Sequence, residues 1–434
     1  MSRTSEEILN DYTKVSPRVL DFYDTPDAEE RKKAFLAGKA RHPGHAYVEL
    51  HAADFHGARQ RILALIDELP RATDATELLL SVYRQYMERG LADLRMLAAA
   101  KHFNVVAESG FLGTLAGNDY LLAGSHKGTS VPQVYHGIVN DLRYMRGVNL
   151  PSKHHREVYE ELLCMLPTPV DSSLSAHINI SPATEQWVTS FVEVFYENLL
   201  NHVPDQPWFT PAEIVQWFTV ILRRAFGSAA KDWRVVLGKC SSVKVSARQK
   251  LVIVSPHRAA ADHKKMRQLV VHELGVHLLR AVTGSSSDVP VLGWGMPGYF
   301  DAEEGLAVVF EECMSGEHKV RGVPLYLSAC LARIEGYDFR EVYERMWRFS
   351  YVTDNTDSVE KAQSVGYNRT RRIFRGTDRL PYLSDLVYYN GYVKVWRMLE
   401  LFAGNIEGLL LLLLGKFDLS NDTHRRVVLE SSSL

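Results

Sequence analysis

Two histidines and a glutamate interrupt an otherwise apolar run, Gln268-Leu-Val-Val-His-Glu-Leu-Gly-Val-His-Leu-Leu279. Burying His272, Glu273 and His277 is costly unless they are paired or bound to a metal. A metal site accounts for all three, with the two imidazoles as ligands and Glu273 between them as a general base. The bland alternative is a pair of core histidines satisfied by backbone partners.

The spacing is His-Glu-x-x-x-His, one residue longer than the common metallopeptidase signature. At about 100° per residue in a regular α-helix, five steps set the histidines about 140° apart, whereas four bring them within about 40°. Both reach one ion only if the helix is widened or ends near His277. A π-turn absorbs one extra residue, and Gly275 lacks the Cβ that would resist it. The spacing therefore predicts a widened or ending helix between Gly275 and Leu278.

Downstream, Asp301-Ala-Glu-Glu-Gly-Leu-Ala-Val-Val-Phe-Glu-Glu-Cys-Met-Ser-Gly316 reads as a helix, with Asp301 as N-cap and Gly316 as its stop. Glu303 and Glu304 fall in its first turn. They either serve the helix, with Asp301 and Glu304 forming a capping box, or one of them is a third ligand. Two histidines and a glutamate leave the fourth position for water, as a catalytic zinc requires. Periodicity does not choose. Glu303 shares a face with Leu306, Ala307 and Phe310, and Glu304 with Ala307, Val308 and Glu311.

The elements positioning these residues are mostly helices. Ala28-Glu-Glu-Arg-Lys-Lys-Ala-Phe35 reads as a solvated helix, and Asp54 to Lys101 as at least two amphipathic ones. Residues 105 to 137 are glycine-rich and read as loops or a short hairpin. Glu157 to Met165, Thr184 to His202 and Pro211 to Phe226 are helical, Pro211 suiting a first turn. Ile178-Asn-Ile180 fits a short strand. Trp233 to Leu237, Val243 to Val245 and Leu251 to Ser255 are β-branched runs with turn residues between them. They precede the motif helix, expected from about Ala259 to Val282, so a small sheet lies beside it. An edge strand there suits an extended peptide. The fold class is therefore α+β and predominantly helical, with an N-terminal helical region over 1–170 and a catalytic region over 171–434 packed as one body.

Composition narrows the partners. The 434 residues are 46% hydrophobic and 24% charged, with a formal net charge of −2. That balance gives no reason to expect nucleic acid or an acidic membrane as partner. No basic extension is present that would grip an acidic microtubule surface. Cys164, Cys240, Cys313 and Cys330 form no Cys-x-x-Cys pair, and the polar N-terminus lacks a signal-peptide core. The apolar stretch Ile406 to Leu414 is too short to span a bilayer and reads as a buried helix. A reducing, cytoplasmic setting is expected. His154, His155, His257, His263 and His318 read as surface or capping residues.

Met296-Pro-Gly-Tyr-Phe-Asp-Ala-Glu-Glu-Gly-Leu-Ala307, following His272-Glu-x-x-x-His277, resembles the QEGLA-motif family. That family includes bacterial flavohemoglobin expression-modulating proteins and the microtubule-associated tyrosine carboxypeptidases of animals. The resemblance extends through Tyr326 to Trp347, Arg372-Ile-Phe-Arg-Gly376 and Tyr388-Tyr-Asn-Gly391, over roughly residues 15 to 420. It implies a zinc metallocarboxypeptidase acting on a protein or peptide C-terminal tail, removing an aromatic residue. It implies His272, His277 and Glu304 as zinc ligands and Glu273 as general base. Glu303 stands where the family's motif has glutamine.

A carboxypeptidase needs an oxyanion donor and a cation for the free C-terminal carboxylate. Tyr388, Arg372 and Arg375 are the candidates, with Lys244 on the preceding strand as another. The bland readings are a core tyrosine and a solvated basic loop. Two other functions use the same residues: a zinc-dependent amidase of a small molecule, and a non-catalytic regulator. Glu273 argues against the second, since a structural metal site has no use for a base.

Overall fold

The computed structural model describes residues 3–16, 27–43, 54–72, 75–102, 131–145, 150–168, 171, 173–240, 242–316, 322–354, 356, 358–375, 379, 381 and 383–431. Pro17, Pro26, His318, Gly376 and the glycine-rich stretch from 105 to 130 lie outside them. Residues 131–137, expected as loop, instead begin the helix Val131–Tyr144.

The fold is α+β and mostly helical, as expected. Ser5–Val15, Ala28–Leu36, Phe55–Glu68 and Glu77–His102 form the first helices. Lys153–Met165, Pro182–Phe195 and Pro211–Phe226 follow. Pro211 opens its helix, behind a Thr210–Glu213 capping box that satisfies two otherwise orphaned N–H groups. Ile178-Asn-Ile180 is irregular rather than a strand. His155, expected on the surface, is buried, stacked on Tyr351 at 4.2 Å between ring centroids. Its Nδ1 is 2.8 Å from Ser152 Oγ.

Among the described residues five short strands make two sheets. β1 (Trp208–Phe209) pairs antiparallel with β5 (Ala261–Asp262). β2 (Arg234–Leu237), β3 (Val243–Ser246) and β4 (Leu251–Val254) form the other, in the order β2-β4-β3. β4 runs parallel to β2 and antiparallel to β3. β3 is an edge strand and lies against the motif helix. β5 occupies the residues where that helix was expected to start. The Asp262 side chain then accepts from the Lys265 N–H at 2.7 Å, so the helix begins at His263.

Four later helices complete the site's frame. Phe300–Ser315, the acidic helix, packs on the motif helix, on Pro182–Phe195 and along Leu386–Phe402, the tyrosine helix. Val359–Phe374, the arginine helix, packs on Phe339–Thr353. One hydrophobic cluster includes residues from Ile8 to Val428. The apolar run after Ile406 is a short helix, Ile406–Leu411, buried on one side only: Leu409 is enclosed, while Ile406 is 54% exposed. Among the described residues no helix is long and apolar enough to cross a membrane.

Candidate metal centre

The motif helix is α-helical over His263–Leu269, π-helical over Val270–Leu278 and α-helical over Leu279–Gly284. The widening required by the five-residue spacing is present, and it starts further upstream than Gly275. It brings the two imidazoles together, their centroids 4.9 Å apart and their planes at 77°. Tyr196 supports the widened turn. Its hydroxyl donates to the Gly275 carbonyl at 2.9 Å, and a Cβ on Gly275 would lie 2.7 Å from its ring. Glycine is needed here for close approach rather than for a turn.

Each imidazole is held from behind by a carboxylate. His272 Nδ1 lies 3.0 Å from Glu311 Oε2, and His277 Nδ1 lies 2.9 Å from Glu303 Oε1. An ionised carboxylate only accepts, so each Nδ1 carries the proton and each Nε2 is left as the ligating nitrogen. Glu304 stands opposite, its Oε1 3.8 Å from His277 Nε2. One ligand atom from each of His272, His277 and Glu304 falls within 4.8 Å of the others. The structure thus brings the expected triad together.

Glu304 is not in a capping box. The acidic helix starts at Phe300, with Tyr299 in the cap position and no side-chain cap bond. Asp301, expected as the N-cap, instead faces Lys394 Nζ at 3.4 Å. A buried cation takes its carboxylate out of the helix end. Glu303 is buried with Arg280 and Lys416, both of which donate to it.

The electrostatics follow from this arrangement. Burial opposes the Glu303 charge, but Lys416, Arg280 and His277 hold its carboxyl far below the usual range. Burial likewise opposes charge on Glu311, yet His272 and Lys265 bring it down to about 2. His272 is pushed the other way. Burial lowers its pKa, but the Glu311 hydrogen bond and the charges of Glu273, Glu311 and Glu304 raise it to about 9. The pocket demands positive charge, and a metal ion competes there with a proton. Two imidazoles with anchored tautomers and one carboxylate fit a small divalent cation.

Glu273 is buried on the same helix, beside His272. Tyr388 stands on the tyrosine helix, close enough to Glu304 that its phenol, already penalised by burial, is pushed up further. It therefore stays protonated. Arg372 donates to the Tyr388 oxygen at 2.9 Å and grips Asp385 through Nε at 2.6 Å and a second nitrogen at 3.1 Å. Arg375 is buried and 3.4 Å from Asp385. Lys244 is on β3, opposite Ile253. The tyrosine and acidic helices meet at Gly305 and Gly391. A Cβ on Gly305 would sit 2.2 Å from the Gly391 carbonyl oxygen, so only glycine lets the backbones touch.

Several participants escaped sequence reasoning. Glu311 shares a helix face with Glu304, a usable signal. Arg280 follows His277 by one helical turn. Lys416, 113 positions along the chain from Glu303, gave none.

A helical body carries a half-buried cluster that could hold a metal ion, two histidines from a π-distorted helix and one carboxylate from its neighbour. The model of the family described as microtubule-associated tyrosine carboxypeptidase matches residues 185–426, more than half of the chain, and the chain belongs to that family. No curated protein matches the chain.

Proposed function

We propose that this chain is a zinc-dependent carboxypeptidase that hydrolyses the last peptide bond of a protein or peptide, removing a tyrosine-like aromatic residue. The observation supporting it is the convergence of His272, His277 and Glu304 next to the buried carboxylate of Glu273. The family's name supports the reaction type and the residue removed.

His272, His277 and Glu304 would hold the zinc. A bound zinc supplies a water of lowered pKa and polarises the scissile carbonyl. Glu273 takes the proton from the attacking water and passes it to the departing amine. Tyr388 donates to the oxyanion that develops on the carbonyl, and Arg372 fixes the phenol's position. Arg375, turned to Asp385, supports the same corner. Glu303 and Glu311 orient the imidazoles. All these residues belong to the 171–434 region proposed as catalytic, with 1–170 as a helical flank.

The four cysteines are free, in keeping with a cytoplasmic setting. The partner proposed is a protein tail with a free C-terminus, and neither nucleic acid nor a membrane. Mass spectrometry of peptides differing in their last residue tests the reading. Loss of single C-terminal residues, abolished by a chelator and restored by zinc, is expected. No cleavage, with turnover of small blocked amides, would contradict it.

A further inference from the structure

The basic side chains around the metal centre are mostly engaged. Arg280 and Lys416 are held by Glu303, Lys265 by Glu311, and Arg372 and Arg375 by Asp385. Arg258 differs. Both its Nε and one terminal nitrogen are buried without a hydrogen-bond partner, whereas Arg280 leaves only its Nε so. A buried guanidinium donor left unpaired is costly, so a site that keeps one has a use for it.

Its placement indicates the use. Arg258 follows β4 on a turn closed by its own N–H donating to the Ser255 carbonyl at 3.4 Å. Beside it is Cys240, whose thiol lies over the end of β4, 3.4 Å from the Ile253 carbonyl. Arg258 and Cys240 both lie within electrostatic reach of Glu273, and Lys244 reaches Cys240 as well. The turn is tied to the edge strand, since the Ser255 N–H donates to the Ser242 carbonyl at 2.8 Å just before β3, and β3 packs on the π-segment that carries Glu273.

We propose that Arg258 receives the free α-carboxylate of the substrate's last residue, with Lys244 adding positive charge along β3. The proposal rests on the carboxypeptidase reading and supplies what that reading lacks. Glu273, Glu303, Glu304 and Glu311 make the pocket acidic, so an incoming carboxylate needs its own cation. Planar guanidinium matches carboxylate with two parallel hydrogen bonds. Pairing the substrate there sets how far its chain reaches past Glu273, which confines hydrolysis to the last peptide bond.

Two measurements test this. The first compares kcat/KM on one peptide with a free C-terminal acid and with a C-terminal amide, for the wild-type protein, Arg258→Gln and Arg258→Lys. The wild-type protein should prefer the acid by about 30-fold or more, the usual consequence of leaving one partner of a buried charge pair unmatched. In Arg258→Gln the preference should collapse through a rise in KM for the acid, and Arg258→Lys should restore part of it. An acid preference surviving in Arg258→Gln, or an equal fall in kcat on both peptides, would overturn the proposal. The second measures binding of the two peptides to Glu273→Gln by calorimetry, without turnover. Glu273→Gln should bind the acid more tightly, and Arg258→Gln added to it should erase the difference. Equal binding of acid and amide to Glu273→Gln overturns the proposal even if peptides are cleaved. If nothing is cleaved but the binding difference is present, the carboxypeptidase reading fails and the carboxylate site stands.

Discussion

Gly305 and Gly391 touch backbone to backbone, and that contact sets Glu304 beside Tyr388. Neither position tolerates a Cβ, since each would meet the other helix's main chain at under 3 Å. Gly305→Ala should therefore force the acidic and tyrosine helices apart. Overpacking of this kind costs about 1–3 kcal/mol, read as a lower urea midpoint. The same variant should lose metal affinity, because Glu304 precedes Gly305 directly.

Glu303 stands at the motif's glutamine position, and periodicity alone left it as a ligand or a helix-end acid. The structure places it against His277, Arg280 and Lys416 instead. Glu303→Gln leaves two buried cations short of a charge, a change that typically costs about 3–5 kcal/mol. It should also weaken zinc binding by about 10–100-fold, as loss of an imidazole's carboxylate partner does. Thermal unfolding and competition with a chromogenic chelator read the two effects separately.

Tyr388 and Arg372 form a pair. Tyr388→Phe should lower kcat by about 100–1,000-fold, the usual loss for one oxyanion donor, with little change in KM. Arg372→Ala should lower kcat in the same direction through a mispositioned phenol. A change confined to KM in either variant would place the pair in substrate binding instead.

The pH dependence of stability should carry a signature from His424. It is buried, and its Nδ1 accepts from the Asp418 N–H at 2.9 Å. Burial is the main cause that lowers its pKa from 6.5 to about 4. The folded state thus keeps it neutral while the unfolded chain protonates it. Its contribution is present above pH 6.5 and is lost as the pH falls toward 4. A displacement of this size corresponds to about 3 kcal/mol at most. His424→Asn, which retains an acceptor, should lose less stability than the wild-type protein between pH 7 and 4.5 in urea titrations.

How far the sequence reached depended on how local each relationship is. The widened motif helix was legible because His-Glu-x-x-x-His cannot converge in a regular helix. The sheet was legible from its β-branched runs. Periodicity left the third ligand open between the adjacent acids Glu303 and Glu304, and only the motif's resemblance pointed to Glu304; the physical reason, Lys416 and Arg280 claiming Glu303, lies outside the segment. Asp301 looked like an N-cap because its competitor, Lys394, is on another helix. Arg372 and Arg375 read as substrate cations because nothing in their own segment shows Asp385 turned toward them. Arg258 gave no signal, since a guanidinium is conspicuous only when its missing partner is seen.

The central claim is that the π-segment lets His272 and His277 share one ion with Glu304. Anomalous diffraction at the zinc edge from crystals of the zinc-loaded protein tests it directly. The account predicts a single peak at about 2.0–2.2 Å from His272 Nε2, His277 Nε2 and a Glu304 oxygen, with Nδ1 of each histidine still on its carboxylate. A peak bound through Glu303, a peak that omits either histidine, or no peak at the motif helix would contradict it.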